Sequence, residues 1–553
     1  MNKTLSDSAN KILKSALIGQ TGRIFLSSFL SVLGSVIFVF LALISKKIID
    51  IATTHQQTNF TLLSICVVAI VLLQAVISGA VSHFKTSASG KIAVDIKKNL
   101  FCAVLNKNHN QINQYHSGDL LTRFSSDIDV VSNSLSSLTP SIASIIAKIV
   151  SGAIAILIID WKFATAIIVL GVTVPFVCKL IGKKYSFLHK NYQQSESRLR
   201  SFLQENFKNL AIIKSFSSIN PTNKKLAILQ KENYDLKITR NTLNIIYSTG
   251  LSLFFTLGYF LVLLWGAKGI QTQTVTYGAL IAFLQIISQI RAPLQSISSI
   301  APAYFSMTAS AERLAEIYDL EDEILPIHKD VFDAINDVFT FIDAKNLSFS
   351  YNDIPVLTDC SFQIKRGTVT VITGESGVGK STLFRLLLGY LNANSSLKFD
   401  GKYDINSSTR AFFSYVPQGN MILSGTIREN LMLCCDKTSE EKINLALKTA
   451  VLNKWIDSLP EGLDTFIGED GMGISQGQAS RIALARALLC DTPILLLDEA
   501  TAALDSETEN ELLLNLKALK DKTVILVTHR TLSENIYDNH LHLEGGKLIN
   551  IKK

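Results

Sequence analysis

Three short stretches carry residue types whose spacing can do chemistry. The first is "GESGVGKST", from Gly374 to Thr382, and it follows the apolar run "VTVIT". The pattern G-x-x-x-x-G-K-[ST] at a strand end, opening a helix, wraps backbone N–H groups around phosphates. Gly374, Glu375, Ser376, Gly377, Val378, Gly379, Lys380, Ser381 and Thr382 are the expected nucleotide-binding loop. Lys380 is placed to reach the β- and γ-phosphates, and the Ser381 hydroxyl to hold Mg²⁺. The second stretch is "ILLLDEA", an apolar strand ending in two carboxylates. Asp498 at such an end reaches the Mg²⁺ shell, and Glu499 polarises an attacking water. The third is "GISQGQASR", a polar turn opening the helical run "IALARALL". It offers a second set of N–H groups and a positive helix end to an anion. A further apolar strand, "VILVTHR", ends at His529. Strand ends that converge on one edge of an α/β sheet are where ligands bind.

These residues need elements to position them, and the rest of the chain divides sharply. Its 553 residues exceed one ordinary domain, and 18% charged residues is low against roughly 25% in soluble proteins. The deficit sits in the first 300 residues. Six apolar stretches occur there: Ile24–Ile44, Leu62–Ser82, Ser141–Ile159, Phe163–Ile181, Ile245–Trp265 and Tyr277–Ile300. Each has about the length that crosses a hydrocarbon core. The first is too long for a signal-peptide core and has no small-residue cleavage site, so it is expected to be retained.

The long segments after the second and fourth stretches are rich in cations. They include Lys91, Lys97, Lys98, Lys107 and Arg123, then Lys183, Lys184, Arg198, Arg200, Lys208, Lys214, Lys224 and Lys225. The positive-inside rule puts these segments and both termini in the cytoplasm. Lys46 and Lys47 on the other side are a mild exception. Both segments keep helical periodicity, so the spans are expected to continue as helices below the membrane, with short turns near "NHNQINQYHSGDL" and "NLAIIKSF". Lys148 and Arg291 lie at mid-bilayer depth, which is costly unless each faces a partner or a cavity. Either neighbouring helices hide them, or they line a substrate cavity that favours an anionic or zwitterionic headgroup.

The net charge of +7 lacks a basic tract with interleaved aromatics, so no nucleic-acid partner is expected. The seven cysteines (Cys66, Cys102, Cys178, Cys360, Cys434, Cys435 and Cys490) form no C-x-x-C pair and read as free thiols. The division expected is 1–315 as a transmembrane domain, 316–338 as a linker around the acidic "LEDEILPIHKD", and 339–553 as an ATPase domain.

Several motifs in fixed order now point one way. "GESGVGKST", "YVPQ", "GISQGQ", "ILLLDEA", "AALD" and "THR" resemble the ATPase domain of ABC transporters. The six stretches before them, "HSGDLLTRFSSDIDVV" and "IAFLQIISQIRAPLQ" are similar to the exporter-type membrane domain of that family. The resemblance covers nearly the whole chain. It implies an all-α six-helix transmembrane domain plus an α/β P-loop ATPase domain with a signature-helix subdomain. It implies ATP and Mg²⁺ as cofactors. The N-terminal segment carries lysines but no Arg-rich transit pattern, so a bacterial plasma membrane rather than an organelle is the expected location. Tyr351, in "FSYNDIPVL", matches the aromatic that stacks on adenine. Gln418 matches the glutamine that contacts Mg²⁺ and the attacking water. Asp505 matches the residue that reaches the opposite ATP site, and His529 the one that contacts the γ-phosphate.

"ISQGQ" occupies the place of the signature, most often "LSGGQ". Each ATP in this family sits between the phosphate loop of one chain and the signature of another. Ser475, Gln476, Gly477 and Gln478 therefore serve the partner's nucleotide, and the chain is expected to pair with a second half-transporter, identical or related. Gln476 in place of the usual glycine is either a mild variant or the mark of a weakened site in a heterodimer. "DTFIGEDGMG" resembles the exporter-specific segment that touches the cytoplasmic helix tips, where a "VGERG"-like sequence is usual. The implied activity is ATP-driven export of an amphiphilic substrate (lipid, drug or peptide) within the membrane lipid. An importer on the same fold and an ATP-gated channel or regulator are the alternatives.

Overall fold

The computed structural model describes residues 7–54, 60–115, 117–160, 184, 187–188, 190–323, 332–333, 335–336, 339–392, 396–419, 422–435, 438–468, 472–530 and 532–551. The chain divides into two units. One comprises Met1–Leu105 and His116–Asp319, the other Asn106–Tyr115 and Leu320–Lys553.

The first unit is helical because a backbone in hydrocarbon must satisfy its own N–H and C=O groups. Its long helices are Thr21–Thr54, Phe60–Asn106, Ile128–Ile159, Ile219–Gln271 and Tyr277–Tyr318. Five of the six apolar stretches lie within them; Phe163–Ile181 lies outside the described residues. In Phe60–Asn106 only 6% of the most apolar window is buried, so its side chains face outward, as contact with lipid tails requires. That helix has 47 residues, hence a length of roughly 70 Å against about 30 Å of hydrocarbon. It therefore continues well past its apolar run. An amphipathic helix, Asp7–Ile18, precedes the first span and was not expected from the apolar stretches.

Helices Thr21–Thr54, Ile128–Ile159 and Tyr277–Tyr318 pack on one another. Val39, Ala42, Ala155, Ile156, Phe283 and Ile286 fill a core between them. Small residues let the backbones approach, and the Ser35 and Ser144 hydroxyls meet at 2.9 Å. Arg291 does not stand alone in its helix: its guanidinium donates to Ser252 Oγ on Ile219–Gln271. Lys148 is half-buried on Ile128–Ile159.

Below this core a five-residue π-helix, Arg123–Asp127, joins Ser117–Thr122 to Ile128–Ile159. A π turn carries one extra residue, which re-aims its side chains. Here it directs Arg123 and Asp127 at the helix Tyr277–Tyr318. Asp127 is 1% exposed and accepts from Ser310 Oγ at 2.9 Å and from Arg313 Nε at 2.8 Å. Arg123 in turn donates to Asp119 at 3.0 Å and to Glu316 at 2.7 Å.

Among the described residues the second unit has twelve strands: β1 (Phe341–Tyr351), β2 (Ile354–Lys365), β3 (Val369–Gly374), β4 (Leu397–Phe399), β5 (Tyr403–Asp404), β6 (Phe413–Val416), β7 (Gly425–Thr426), β8 (Phe466–Ile467), β9 (Ile494–Asp498), β10 (Thr523–Val527), β11 (Asn539–Glu544) and β12 (Lys547–Asn550). The central sheet runs β12-β11-β3-β10-β9-β6, parallel except for its β12 edge. β9 and β10 are buried throughout, which is why they read as unbroken apolar runs. An antiparallel sheet, β2-β1-β4-β5, covers one face through Phe339, Phe384, Phe399 and Phe412. The other face packs on Glu440–Thr449, Gln476–Leu489 and Ser506–Ala518, the helical subdomain.

The short helix His109–Ile112 belongs to this second unit. The His109 ring stacks on Tyr390 with centroids 4.1 Å apart, and Arg410 lies over the Tyr390 ring at 4.4 Å. Arg410 also grips Glu323 at 2.8 and 3.2 Å, and Glu323 accepts from the His109 N–H at 3.1 Å. Lys107 donates to the Leu320 carbonyl at 2.6 Å and pairs with Asp322 at 2.8 Å. Within 316–338, residues 316–318 thus complete the last long helix, and 320–323 are bonded to the Lys107–Gln111 segment.

Candidate functional site

Parallel strands in register bring the chemical residues to one sheet edge. β3 ends at Gly374, β9 at Asp498 and β10 just before Thr528 and His529. β6 on the far side delivers Gln418 two residues past its end. The loop after β3 has to turn through positive φ at Gly374 (153°), Gly377 (82°) and Gly379 (115°). A Cβ on Gly374 would meet the Leu543 carbonyl at 2.4 Å, and one on Gly379 the Val356 side chain at 2.9 Å. Glycine is what lets this cradle form. Helix Lys380–Leu387 starts directly from it, so its first N–H groups face the loop.

Lys380 is 5% exposed, and its ammonium donates to the Gly374 carbonyl at 2.9 Å and the Glu375 carbonyl at 2.8 Å. Burial lowers its pKa, against the opposing charges of Glu499 and Asp498. The side chain is thus folded back into the loop it would serve. Asp498 is 2% exposed, and burial raises its pKa; the Ser381 hydroxyl opposes this and the Glu499 charge adds to it. Its Oδ2 accepts from the Tyr415 hydroxyl at 3.4 Å, and its Oδ1 is buried without a hydrogen-bond partner among the described residues. A buried carboxylate oxygen with an open lone pair, beside a serine hydroxyl, is a donor set for a hard cation such as Mg²⁺.

Glu499 lies at the hub. It sits at φ 52°, a conformation rare outside glycine, asparagine and aspartate. Its N–H donates to the Val527 carbonyl at 3.1 Å, which fixes the turn. Its carboxylate accepts from Gln418 Nε2 at 2.7 Å and lies 2.9 Å from His529 Nε2. The same His529 nitrogen is 3.1 Å from Lys380 Nζ. It serves one neighbour at a time: protonated it donates to Glu499, unprotonated it accepts from Lys380. The structure therefore gathers Lys380, Ser381, Asp498, Glu499, Gln418 and His529 into one polar cluster. Tyr415, the first residue of "YVPQ", joins it through Asp498.

Tyr351 ends β1, packs edge-on against Phe349 at 4.9 Å, and its hydroxyl is buried without a partner among the described residues. Asp505 caps Ser506–Ala518 by accepting from the Thr508 N–H at 3.2 Å, and hydrogen bonding from Thr508 lowers its pKa. The chain before it is latched by Arg530, which donates to the Leu504 carbonyl at 2.9 Å, the Ala502 carbonyl at 2.9 Å and Glu509 at 2.7 Å. Nothing in the sequence pattern singled out Arg530 for this role.

The second cradle is separate. Ser475 caps Gln476–Leu489 in a reciprocal box: its hydroxyl accepts from the Gln478 N–H at 3.2 Å, and the Gln478 side chain accepts from the Ser475 N–H at 2.8 Å. Ser475 bonds to Gln478 and not to the Lys380 cluster. Gly477 is held close to the Ala503 carbonyl, which a Cβ there would meet at 3.0 Å. Gln476 is exposed at the first helical position, where a side chain projects without crossing the cap.

Comparison with known proteins agrees with this architecture. The description "ABC transporter transmembrane region" matches residues 24–294, and "ABC transporter" matches residues 357–502. An export ATP-binding/permease protein of Rickettsia bellii is 30% identical over 497 residues, covering 88% of this chain and 85% of the relative. An ATP-dependent lipid A-core flippase of Pasteurella multocida is 29% identical over 531 residues, covering 91% of this chain and 88% of the relative. ABC transporter B family member 1 of Dictyostelium discoideum is 28% identical over 502 residues, and the chain spans 53%, about half, of its length. A membrane domain of exporter type fused to an ATPase domain in one polypeptide has the architecture of a half-transporter, and the chain belongs to the ABC transporter family as an ATP-hydrolysing transporter.

Proposed function

We propose that this chain works as one half of a dimer that exports an amphiphilic, lipid-like substrate by alternating access. The observation that carries the reading is the pair of separate anion cradles. One is the glycine loop with Lys380 buried in it; the other is the exposed Ser475 box, bonded, among the described residues, to itself. A cap hydroxyl that accepts from its own helix still has a proton to donate. The Ser475 box is therefore free to take the γ-phosphate of a nucleotide held by a second chain. ATP then joins two ATPase domains, and hydrolysis releases them.

Within one site, Lys380 and the loop N–H groups neutralise the phosphates, and Tyr351 stacks on the adenine. Mg²⁺, when bound by the Asp498 carboxylate, the Ser381 hydroxyl and the Gln418 amide oxygen, supplies charge neutralisation at the transferring phosphoryl group. Glu499 orients and polarises the water, and His529 holds the γ-phosphate while keeping Glu499 in place. Asp505 carries the state of one site to the other. Gln476, exposed and clear of the cap, reads as a mild variant of the signature and leaves the partner's site competent.

The lipid reading draws on two things. A flippase for lipid A-core is among the chain's relatives by name, and Arg291 sits at mid-membrane depth with the neutral Ser252 hydroxyl as its partner among the described residues. A guanidinium paired to a neutral group keeps its charge available for an anionic headgroup. The test uses purified full-length protein in lipid nanodiscs. Turnover of Mg·ATP should rise with added anionic lipid and should require two chains per disc. Discs holding a single chain with full turnover would overturn the dimer, and equal stimulation by neutral and anionic amphiphiles would overturn the headgroup preference.

A further inference from the structure

One side chain holds both flanks of Asp505. The turn before Asp505 closes through its own backbone, with the Ala502 N–H donating to the Glu499 carbonyl at 3.1 Å and the Leu504 N–H to the Thr501 carbonyl at 3.0 Å. Arg530 reaches this turn from beyond the end of β10. Its Nη1 donates to the Leu504 carbonyl at 2.9 Å and to Glu509 Oε2 at 2.7 Å, and its Nη2 donates to the Ala502 carbonyl at 2.9 Å. Two of these bonds fall before Asp505 and one falls after it, on the helix that Asp505 caps. Glu509 is buried, so that end of the grip does not move freely.

The backbone of Arg530 is anchored too. Its N–H donates to Thr528 Oγ1 at 3.1 Å, and the Thr528 N–H donates to the Ile372 carbonyl of β3 at 3.2 Å. His529 lies between these two residues, with Nε2 2.9 Å from the Glu499 carboxylate and 3.1 Å from Lys380 Nζ. On its other side the turn meets the signature helix, where a Cβ on Gly477 would lie 3.0 Å from the Ala503 carbonyl. One peptide bond and one guanidinium therefore connect His529, inside this chain's ATP site, to the turn that carries Asp505.

Stability alone does not account for the grip. The Arg530 side chain is 40% exposed, and an ion pair that open to water adds little. Ala502 is exposed, so water would satisfy its carbonyl equally well. What a planar fork adds, when it bonds two carbonyls and a carboxylate at once, is position.

We propose, resting on the two-chain reading above, that Arg530 is a positioning residue for ATP hydrolysis: its fork makes the placement of Asp505 follow that of His529. Nucleotide that engages His529 in one site then sets the residue offered to the other site. Loss of nucleotide lets the turn at Ala502–Leu504 relax, together with the Gly477 contact. Two sites linked in this way take up and hydrolyse ATP cooperatively, and the coupling runs equally in both directions for binding.

The test uses full-length protein in nanodiscs, with turnover measured against Mg·ATP concentration and melting read on the same samples. Wild type in two-chain discs should show a Hill coefficient above 1. Arg530→Lys keeps a charge for Glu509 but loses the fork. It should melt like wild type, drop to a Hill coefficient of 1, and lose about tenfold in kcat with less than a twofold change in KM. Glu509→Gln keeps an acceptor and both carbonyl bonds, and should stay cooperative. Asp505→Asn keeps the helix cap while changing what is offered to the partner. Adding Arg530→Lys to it should slow turnover no further, because the two residues act through one path.

Multiplied losses in that double variant would overturn the proposal, as would wild-type kcat and cooperativity in Arg530→Lys. So would a melting temperature in Arg530→Lys that falls in step with turnover, which marks a packing role. Equal loss of cooperativity in Glu509→Gln would assign the effect to the ion pair and overturn the fork. Failure of the two-chain reading looks different, because it shows in wild type as full turnover from single-chain discs. A wild-type Hill coefficient of 1 in discs that still need two chains overturns the Arg530 link alone.

Discussion

Ser475 offers the sharpest separation between a structural and a functional role, because its hydroxyl has one lone pair in use and one proton to account for. The lone pair accepts from the Gln478 N–H at 3.2 Å, and the box is closed by Gln478 Oε1 at 2.8 Å from the Ser475 N–H. Removing the hydroxyl in Ser475→Ala costs the cap, about 1 kcal/mol. That alone would not unfold a helix whose Ile482, Ala485 and Leu489 are buried in the core. Alanine therefore confuses two effects, while aspartate separates them. Aspartate caps a helix about as well as serine, so Ser475→Asp should melt close to the wild type. It would, however, set a carboxylate against the partner's γ-phosphate. Two like charges about 4 Å apart repel by about 4 kcal/mol at an effective dielectric constant of about 20. At 1.36 kcal/mol per decade that is about a 10³-fold loss of turnover. Ser475→Thr keeps both the lone pair and the proton and should retain most activity. The assay pairs Mg·ATP turnover with thermal melting on the same nanodisc samples. An aspartate variant that melts normally and turns over at the wild-type rate would refute the idea that this hydroxyl meets a phosphate.

Glu499→Gln should retain nucleotide binding and lose about 10²- to 10⁴-fold of hydrolysis, read by nucleotide trapping against phosphate release; undiminished hydrolysis would remove Glu499 from the reaction. Asp127→Ala takes away the buried acceptor of Ser310 Oγ and Arg313 Nε, and should destabilise the helical unit by about 2 kcal/mol, seen as a lower melting temperature. Acidification should weaken the second unit through His109. Burial and Arg410 lower its pKa below the ordinary 6.5, with Glu323 opposing and Arg385 adding to the fall. A depressed value means the unfolded chain binds the proton more readily. The stability that the neutral ring contributes is thus present above about pH 6.5 and is lost as the pH falls toward the folded value. Melting of wild type and His109→Gln between pH 8 and pH 5 should diverge in that window; parallel curves would show that the stack on Tyr390 does not depend on the neutral ring.

Much of the ATPase core was legible because its residues lie in short contiguous motifs. "VTVITGESGVGKST" and "ILLLDEA" announce buried strands by unbroken apolar runs, and parallel pairing then leaves little freedom in where their ends fall. The spans were legible for a similar reason: twenty apolar residues in hydrocarbon have one good solution, a helix. The contacts that were missed join residues far apart in the chain. Arg530 to Glu509, His109 to Tyr390 and Arg410 to Glu323 depend on which surfaces the packing brings together. No local periodicity encodes them. The acidic "LEDEILPIHKD" read as a linker by composition alone, yet Glu321, Asp322 and Glu323 are all bonded to distant groups.

The amino-acid order by itself thus determined the two-part architecture, the phosphate loop and the carboxylates at the strand ends, because each follows from hydrophobic periodicity or from a motif within a single turn of chain. Only the tertiary structure decided that Glu499 is held between Gln418 and His529, that Ser475 spends a lone pair on its own helix while keeping a proton to donate, and that the Cys435 thiol meets the Leu489 carbonyl. Side-chain hydrogen bonds and sulfur contacts act over a few ångströms. Whether two groups fall within that range is set by the packing of whole elements, not by their neighbours in the chain.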